Sequence, residues 1–277
     1  MKLVEKNTIF KEILNIEDLL TYLETKGRNH NCYYHYTSWD SLCKIYNGQS
    51  FLLTRGNSLN INDQHEALMK GSWEEWNKTY IGSFSFGSAE NMAMWGLYGL
   101  PWEDAVRIAI PKKAMLNWIE NINTVYLWNQ ITKQPVSAKI CLSDMVYVSG
   151  KAHSNKLQLT HKDSTFETAN RYGLRNVSTD PRMTGHIKNY AWRYENEVRL
   201  HIRLSHSTGY EKILVNIPPE VLSEITVTTG PSFVYKGDEL QQLLMKEGRI
   251  ENSGFENLVK YRPLCSLCTN GPFVRNY

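Results

Sequence analysis

In WRYENEVRLHIRL, residues 192–204, polar and apolar positions alternate. Val198, Leu200, Ile202 and Leu204 fall on one side, and Glu195, Glu197, Arg199, His201 and Arg203 on the other. A period of two predicts a half-buried β-strand. The apolar side belongs to a core. The polar side is either solvated surface or the wall of a cleft, and it sets two like charges side by side at some cost.

Comparable patterning predicts strands over 32–37 (CYYHYT), 50–54 (SFLLT), 80–86 (YIGSFSF), 105–111 (AVRIAIP) and 139–149 (KICLSDMVYVS), with KILVNI and EITVTTG later. A helical period runs through Phe10, Ile13, Leu14 and Ile16, then Leu19, Leu20 and Leu23. Trp39, Leu42, Cys43 and Tyr46 repeat it after Thr37 or Ser38, either of which suits a cap, and Gly48 is a natural stop. NMAMWGLYG, KKAMLNWIENI and GDELQQLLMKEG read as further helices. Residues 151–185 form the longest polar stretch of weak period, with room for a helix near 164–172; so long a segment is usually functional or mobile. Helices cluster early and strands dominate later, which predicts an α+β fold with a mostly antiparallel sheet. A helical extension over 1–30 and one domain over 31–277 are expected.

Composition narrows the function classes. A hydrophobic share of 42% and a charged share of 21% are those of a soluble globular chain. Eight Trp and 16 Tyr favour aromatic-lined concave sites as well as a core. A net charge of +3 permits a polyanionic partner without arguing for one. Charges interrupt the apolar positions of the N-terminus, so it reads as no signal peptide, and no window approaches a membrane span. Five cysteines fit reduced thiols in a cytoplasm, and the lone Cys265–Cys268 pair lacks a second pair at zinc spacing. The absence of GxGxxG, Walker A, HExxH and GxSxG motifs leaves dehydrogenases, P-loop NTPases, zincins and serine hydrolases unsupported.

Several residues carry candidate chemistry. His35 points away from Tyr34 and Tyr36 on its strand and is either a satisfied structural histidine or a group for a ribose or phosphate. Ser83 and Ser85 share a strand face. Trp95 and Tyr98 lie one helical turn apart, as core packing or as a stacking platform. Asn62, Asp63 and Glu66 read as a helix start with a structural role.

In order, the chain carries His35-Tyr36-Thr37, SLNINDQHE, Ser83-Phe84-Ser85, MWGLYG, and Lys188 with Trp192, Tyr194, Glu195, Glu197 and Arg199. Over about residues 33–230 this set resembles a widespread bacterial family long labelled as a domain of unknown function, which itself looks like a divergent branch of the NAD-dependent ADP-ribosyltransferase superfamily. Gln64 stands where the family often has Pro, and LPWEDAVRIAI replaces a Gly-rich link. The resemblance implies a split antiparallel sheet with flanking helices, NAD as cofactor and no metal. It makes Glu197 the catalytic carboxylate, offsetting positive charge that develops on the ribose, with Glu195 orienting or deprotonating the acceptor. Arg199 would offset the repulsion of the two acids. NAD would be held by His35, Tyr36, Thr37, Ser83, Ser85, Trp95, Tyr98 and Arg199. A toxin or anti-phage effector is implied, controlled by an antitoxin or other neutralising partner. Its acceptor would be a macromolecule, single-stranded RNA or DNA slightly ahead of protein. The alternatives are NAD hydrolysis on the same fold and a non-catalytic nucleotide-binding module.

Overall fold

A computed structural model describes residues 15–56, 73–127, 133–135, 138–148 and 180–256. In chain order its elements are α1 (Ile16–Gly27), β1 (Cys32–Ser38), α2 (Trp39–Gly48), β2 (Ser50–Arg55), α3 (Trp73–Trp76), β3 (Thr79–Ser85), α4 (Met92–Tyr98), β4 (Ala105–Pro111), α5 (Lys112–Glu120), β5 (Thr124–Leu127) and β6 (Lys133–Pro135). There follow β7 (Ala138–Asp144), β8 (Val146–Val148), β9 (Ile187–Asn189), β10 (Glu197–Leu204), β11 (Lys212–Asn216), α6 (Pro219–Leu222), β12 (Thr226–Thr229), α7 (Glu239–Lys246) and β13 (Ile250–Asn252). The protein is α+β, with mostly antiparallel pairing. Among the described residues no helix is long and apolar enough to cross a membrane. The Cys265–Cys268 pair, the Asn62–Glu66 stretch, residues 1–14 and most of 151–185 lie outside the described residues.

The chain divides into two compact units, one of residues 1–35, 44–88 and 109–225, the other of 36–43, 89–108 and 226–277. Where a separate extension and one domain were expected, α1 belongs to the first unit and the remainder is shared between two.

In the first unit β10 lies between β3 and β7, antiparallel to both. The free edge of β3 is divided: β2 pairs at Ile81 and Tyr80, β1 at Ser85. Beyond β2 run β11, β5 and β6. One face carries Phe51, Phe84, Val198, Leu200 and Ile202, all buried, beneath Met115 and Trp118 of α5. Phe51 and Phe84 stack at 5.4 Å, and Trp118 meets both edge-on at 5.7 and 6.3 Å. Each such side chain contributes about 1.5–3 kcal/mol by leaving water.

The other face is polar, yet it is covered as well. Asn15 caps α1 by accepting from the Asp18 N–H at 3.0 Å. Ile16, Leu19 and Leu23 recur at helical spacing and pack with Val146, Met183 and Ile187. Gly27 lets α1 close on β7: a Cβ there would lie 2.5 Å from the Ser143 Cα.

Two strand expectations need correction. The strand predicted over 139–149 breaks at Met145 into β7 and β8, because β8 leaves the sheet to pair in parallel with β9, Tyr147 level with Lys188. The strand opening at Trp192 begins only at Glu197. Tyr190–Glu195 form a 3-10 turn, and Asn196 at φ 45° turns the chain into β10. Glu195 therefore does not share a strand face with Glu197.

In the second unit β12 lies between β4 and β13, and pairs with β13 in parallel. Asp238 caps α7, accepting from the Gln241 N–H at 2.7 Å and from the Trp39 indole at 2.8 Å. Asn91 caps α4 through the Ala93 N–H at 2.9 Å.

Candidate functional site

Four charged side chains meet on the polar face of the first unit. Lys188, Glu195, Glu197 and Arg199 are 5%, 3%, 2% and 1% exposed. The Lys188 ammonium donates to Glu195 Oε2 at 2.5 Å and to Glu197 Oε2 at 3.0 Å. Arg199 donates from Nε to Glu197 Oε1 at 2.6 Å and from Nη2 to Oε2 at 3.1 Å, a fork on one carboxylate. Its Nη1 reaches the Gly185 carbonyl at 3.1 Å. The Glu197 N–H donates to the Tyr147 hydroxyl at 2.8 Å, and the Lys188 ammonium lies 5.2 Å from the centre of the Trp192 ring. Two acids and two bases cancel, which is what allows such burial.

Burial pushes the Glu197 carboxyl up; Arg199 and Lys188, with hydrogen bonds from Arg199 and Ser83, outweigh it and hold it below the usual carboxylate range. Glu197 is thus an anion at neutral pH. Burial, then the charge of Glu197, push the Tyr147 phenol far up, so it stays neutral.

β10 carries these groups next to β3, with Glu197 level with Ser85 and Arg199 level with Ser83. Ser83 is the exposed residue of β3, so its hydroxyl brings the network to solvent. Ser85 is buried and donates to the Tyr34 carbonyl at 3.4 Å. The structure brings together Glu195, Glu197, Arg199, Ser83 and Ser85.

It does not bring His35 to them. Tyr34 is level with Ser85, so His35 takes the opposite, apolar face. Its ring lies 4.9 Å from Phe51 and 5.7 Å from Phe84, and its Nδ1 bonds the Ser83 carbonyl at 3.0 Å. Burial lowers its pKa, against the hydrogen bond, so the ring is neutral. On the first strand, Tyr34 shares the carboxylate's face, level with Ser85 and so with Glu197.

Tyr36, Thr37, Trp95 and Tyr98 belong to the second unit. There Trp95 is buried, meets the Tyr36 ring edge-on at 4.8 Å and donates to Glu90 at 3.0 Å. Tyr36 accepts from the Asn91 N–H at 3.2 Å. Trp95 is a core residue here. Tyr98 ends α4 half-buried, and Thr37 is half-buried on β1.

Sequence reasoning left Lys188 without a role and passed over Tyr34, Tyr147 and His186. Lys188 stood in the quoted motif, nine residues before Glu197, a spacing that no helical or strand period connects. No group of three or more His, Cys, Asp or Glu among the described residues could hold a metal ion. No protein-family model matches the sequence, and no curated protein matches it.

Proposed function

We propose that the chain is an NAD-dependent ADP-ribosyltransferase with Glu197 as its carboxylate, acting as a cytoplasmic toxin or anti-phage effector under a neutralising partner. The observation that carries this reading is an anionic Glu197 on β10, level with the serine strand β3 and reaching solvent through the exposed Ser83. The donor set on this face fits a ribose: a hydroxyl at the surface, an ionised carboxylate and a guanidinium that fixes its orientation. His35 does not fit, because it lies on the other face, and no step is assigned to it.

NAD, when bound, supplies the bond between nicotinamide and ribose that breaks. Glu197 would offset the positive charge that then develops, as carboxylates do in glycoside cleavage. Arg199 and Lys188 keep Glu197 unprotonated and in one rotamer. Ser83, the outermost partner of Glu197, would be the group that a sugar hydroxyl replaces. Glu195, turned out of the strand by Asn196, neutralises Lys188 and is a positioning residue. A macromolecular acceptor is part of this reading, and the mildly basic, aromatic-rich composition sets nucleic acid slightly ahead of protein.

The depth of the network favours a second reading. A charge quartet at most 5% exposed also serves as a structural clamp in a non-catalytic nucleotide-binding module. Labelled NAD separates the two. Purified protein with RNA, DNA and protein fractions is expected to label one fraction, and folded Glu197→Gln to label none. Nicotinamide release without a labelled macromolecule means hydrolysis of NAD. No NAD turnover by the wild-type protein would end the enzymatic reading and leave the clamp.

A further inference from the structure

Two residues beyond Arg199 on the same face of β10 lies His201, 3% exposed, and neither of its ring nitrogens has a hydrogen-bond partner among the described residues. Its ring stacks on that of His186 at 4.3 Å, with 24° between the planes. His186 is also buried, and its Nδ1 meets the Ser143 hydroxyl at 2.9 Å. Gly185, at φ 84°, leaves the space for His201: a Cβ there would lie 2.9 Å from its ring. Both rings line a cavity of about 140 Å³ between α1, β7, β10 and the 180–186 segment. Buried polar groups are as a rule hydrogen-bonded, so a cavity-lining ring with both nitrogens unpartnered among the described residues points to a ligand that would bond them.

The rim says what kind of thing. Lys139, Arg182 and Arg203 line the cavity against Glu17 and Glu24. Arg182 is engaged by Glu17 and Asp180, and Arg203 lies 3.6 Å from Glu75. Lys139 is exposed and has no ion pair among the described residues. Three basic and two acidic groups line the cavity, so a cation entering here would meet a net positive wall. An anion would find charge and donors together. We infer that the cavity binds a small oxyanion of the phosphate class, through His201 and His186 with Lys139 at its mouth. The inference does not depend on the transferase reading.

Proton linkage gives the site a signature. Burial, with the charges of Arg203, Arg199 and Lys139, lowers both imidazoles, His186 to about 3, and His201 is lowered by the charge of His186 as well. The other titratable groups around the rings are Glu17 and Glu24 on α1, Cys141 on β7 and Arg182 beside His186. Burial pushes the Cys141 thiol up to about 12, so it remains neutral. Both rings are therefore neutral at pH 6–8 in the folded chain. An anion reverses the local field, and the rings accept protons and become donors at both nitrogens. Binding takes up protons and tightens as pH falls, by up to about tenfold per pH unit for each proton.

Calorimetry with sulfate, whose charge is the same at pH 6 and pH 8, beside inorganic phosphate and in two buffers of different ionisation heat, tests this. One site is expected, with proton uptake and tighter binding at pH 6. His201→Phe keeps the stack and loses the nitrogens, and should weaken binding roughly tenfold or more. Lys139→Met, on the surface, should weaken it roughly threefold and decides the matter if His201→Phe fails to fold. A 5′-phosphorylated trinucleotide beside its unphosphorylated twin tells a free anion from a terminal phosphate, and either source supports the site. No phosphate or phosphorylated-oligonucleotide binding at pH 6, binding without proton uptake, or affinity unchanged in both variants would overturn it.

Discussion

Glu197 and His201 are four residues apart on one face of β10, and they solve burial in opposite ways. Around Glu197 every charge is met: Lys188 and Arg199 surround the carboxylate, and Glu195 balances Lys188. Around His201 little is met, since the ring has a stacking partner and a void but no hydrogen bond among the described residues. The first arrangement gains by keeping its groups ionised, the second by keeping them neutral. A strand face can thus be polar along its whole length while its two ends respond to different things, the quartet to loss of a partner and the imidazole pair to protons and anions.

The sharpest way to break this contrast is to unbalance the quartet. Arg199→Met leaves two buried carboxylates to one Lys188 and should cost about 3–5 kcal/mol in chemical denaturation. A loss below about 1 kcal/mol would mean that the quartet opens to water. Acid should act next, and on the other end. Both imidazoles are lowered in the folded chain, so their contribution is complete above the unfolded value near 6.5 and is lost as pH falls toward their folded values. Urea unfolding should show stability dropping below pH 6.5 by up to about 1.4 kcal/mol per pH unit for each ring, and His201→Phe should remove about half of that slope. Gly185→Ala forces a side chain into the left-handed region and against His201, for roughly 1–3 kcal/mol of destabilisation in the same assay. Smallest of all, Ser83→Ala at its exposed position should change stability by less than about 0.5 kcal/mol, while reducing any NAD turnover that runs through Glu197.

Much of the scaffold was legible from periodicity. Val198, Leu200 and Ile202 announced β10, and Trp39, Leu42 and Tyr46 announced α2. What a period of two cannot say is whether the polar side is wet. Here Ile16, Leu19 and Leu23 of α1, with Met183 and Ile187, seal that side, and those of α1 are distant in sequence from the strand they cover. β8 and β9, three residues each, are too short to show any period. His35 is instructive because its strand parity was readable: it points away from Tyr34. Only the register, Tyr34 level with Ser85 and Ser85 level with Glu197, reveals that this parity separates His35 from the carboxylate.

Asn196 turns the spacing between the two glutamates into a constraint of its own. With its φ at 45°, the middle position of Glu195-Asn196-Glu197 is a conformational switch from turn to strand, and a β-branched residue there would be strained. A search for chains built in this way should read the motif as glutamate, then Asn, Gly or Asp, then glutamate, with a lysine upstream on a short strand. Chains with Val or Ile in the middle would present their two acids along one continuous strand, a different architecture behind the same letters.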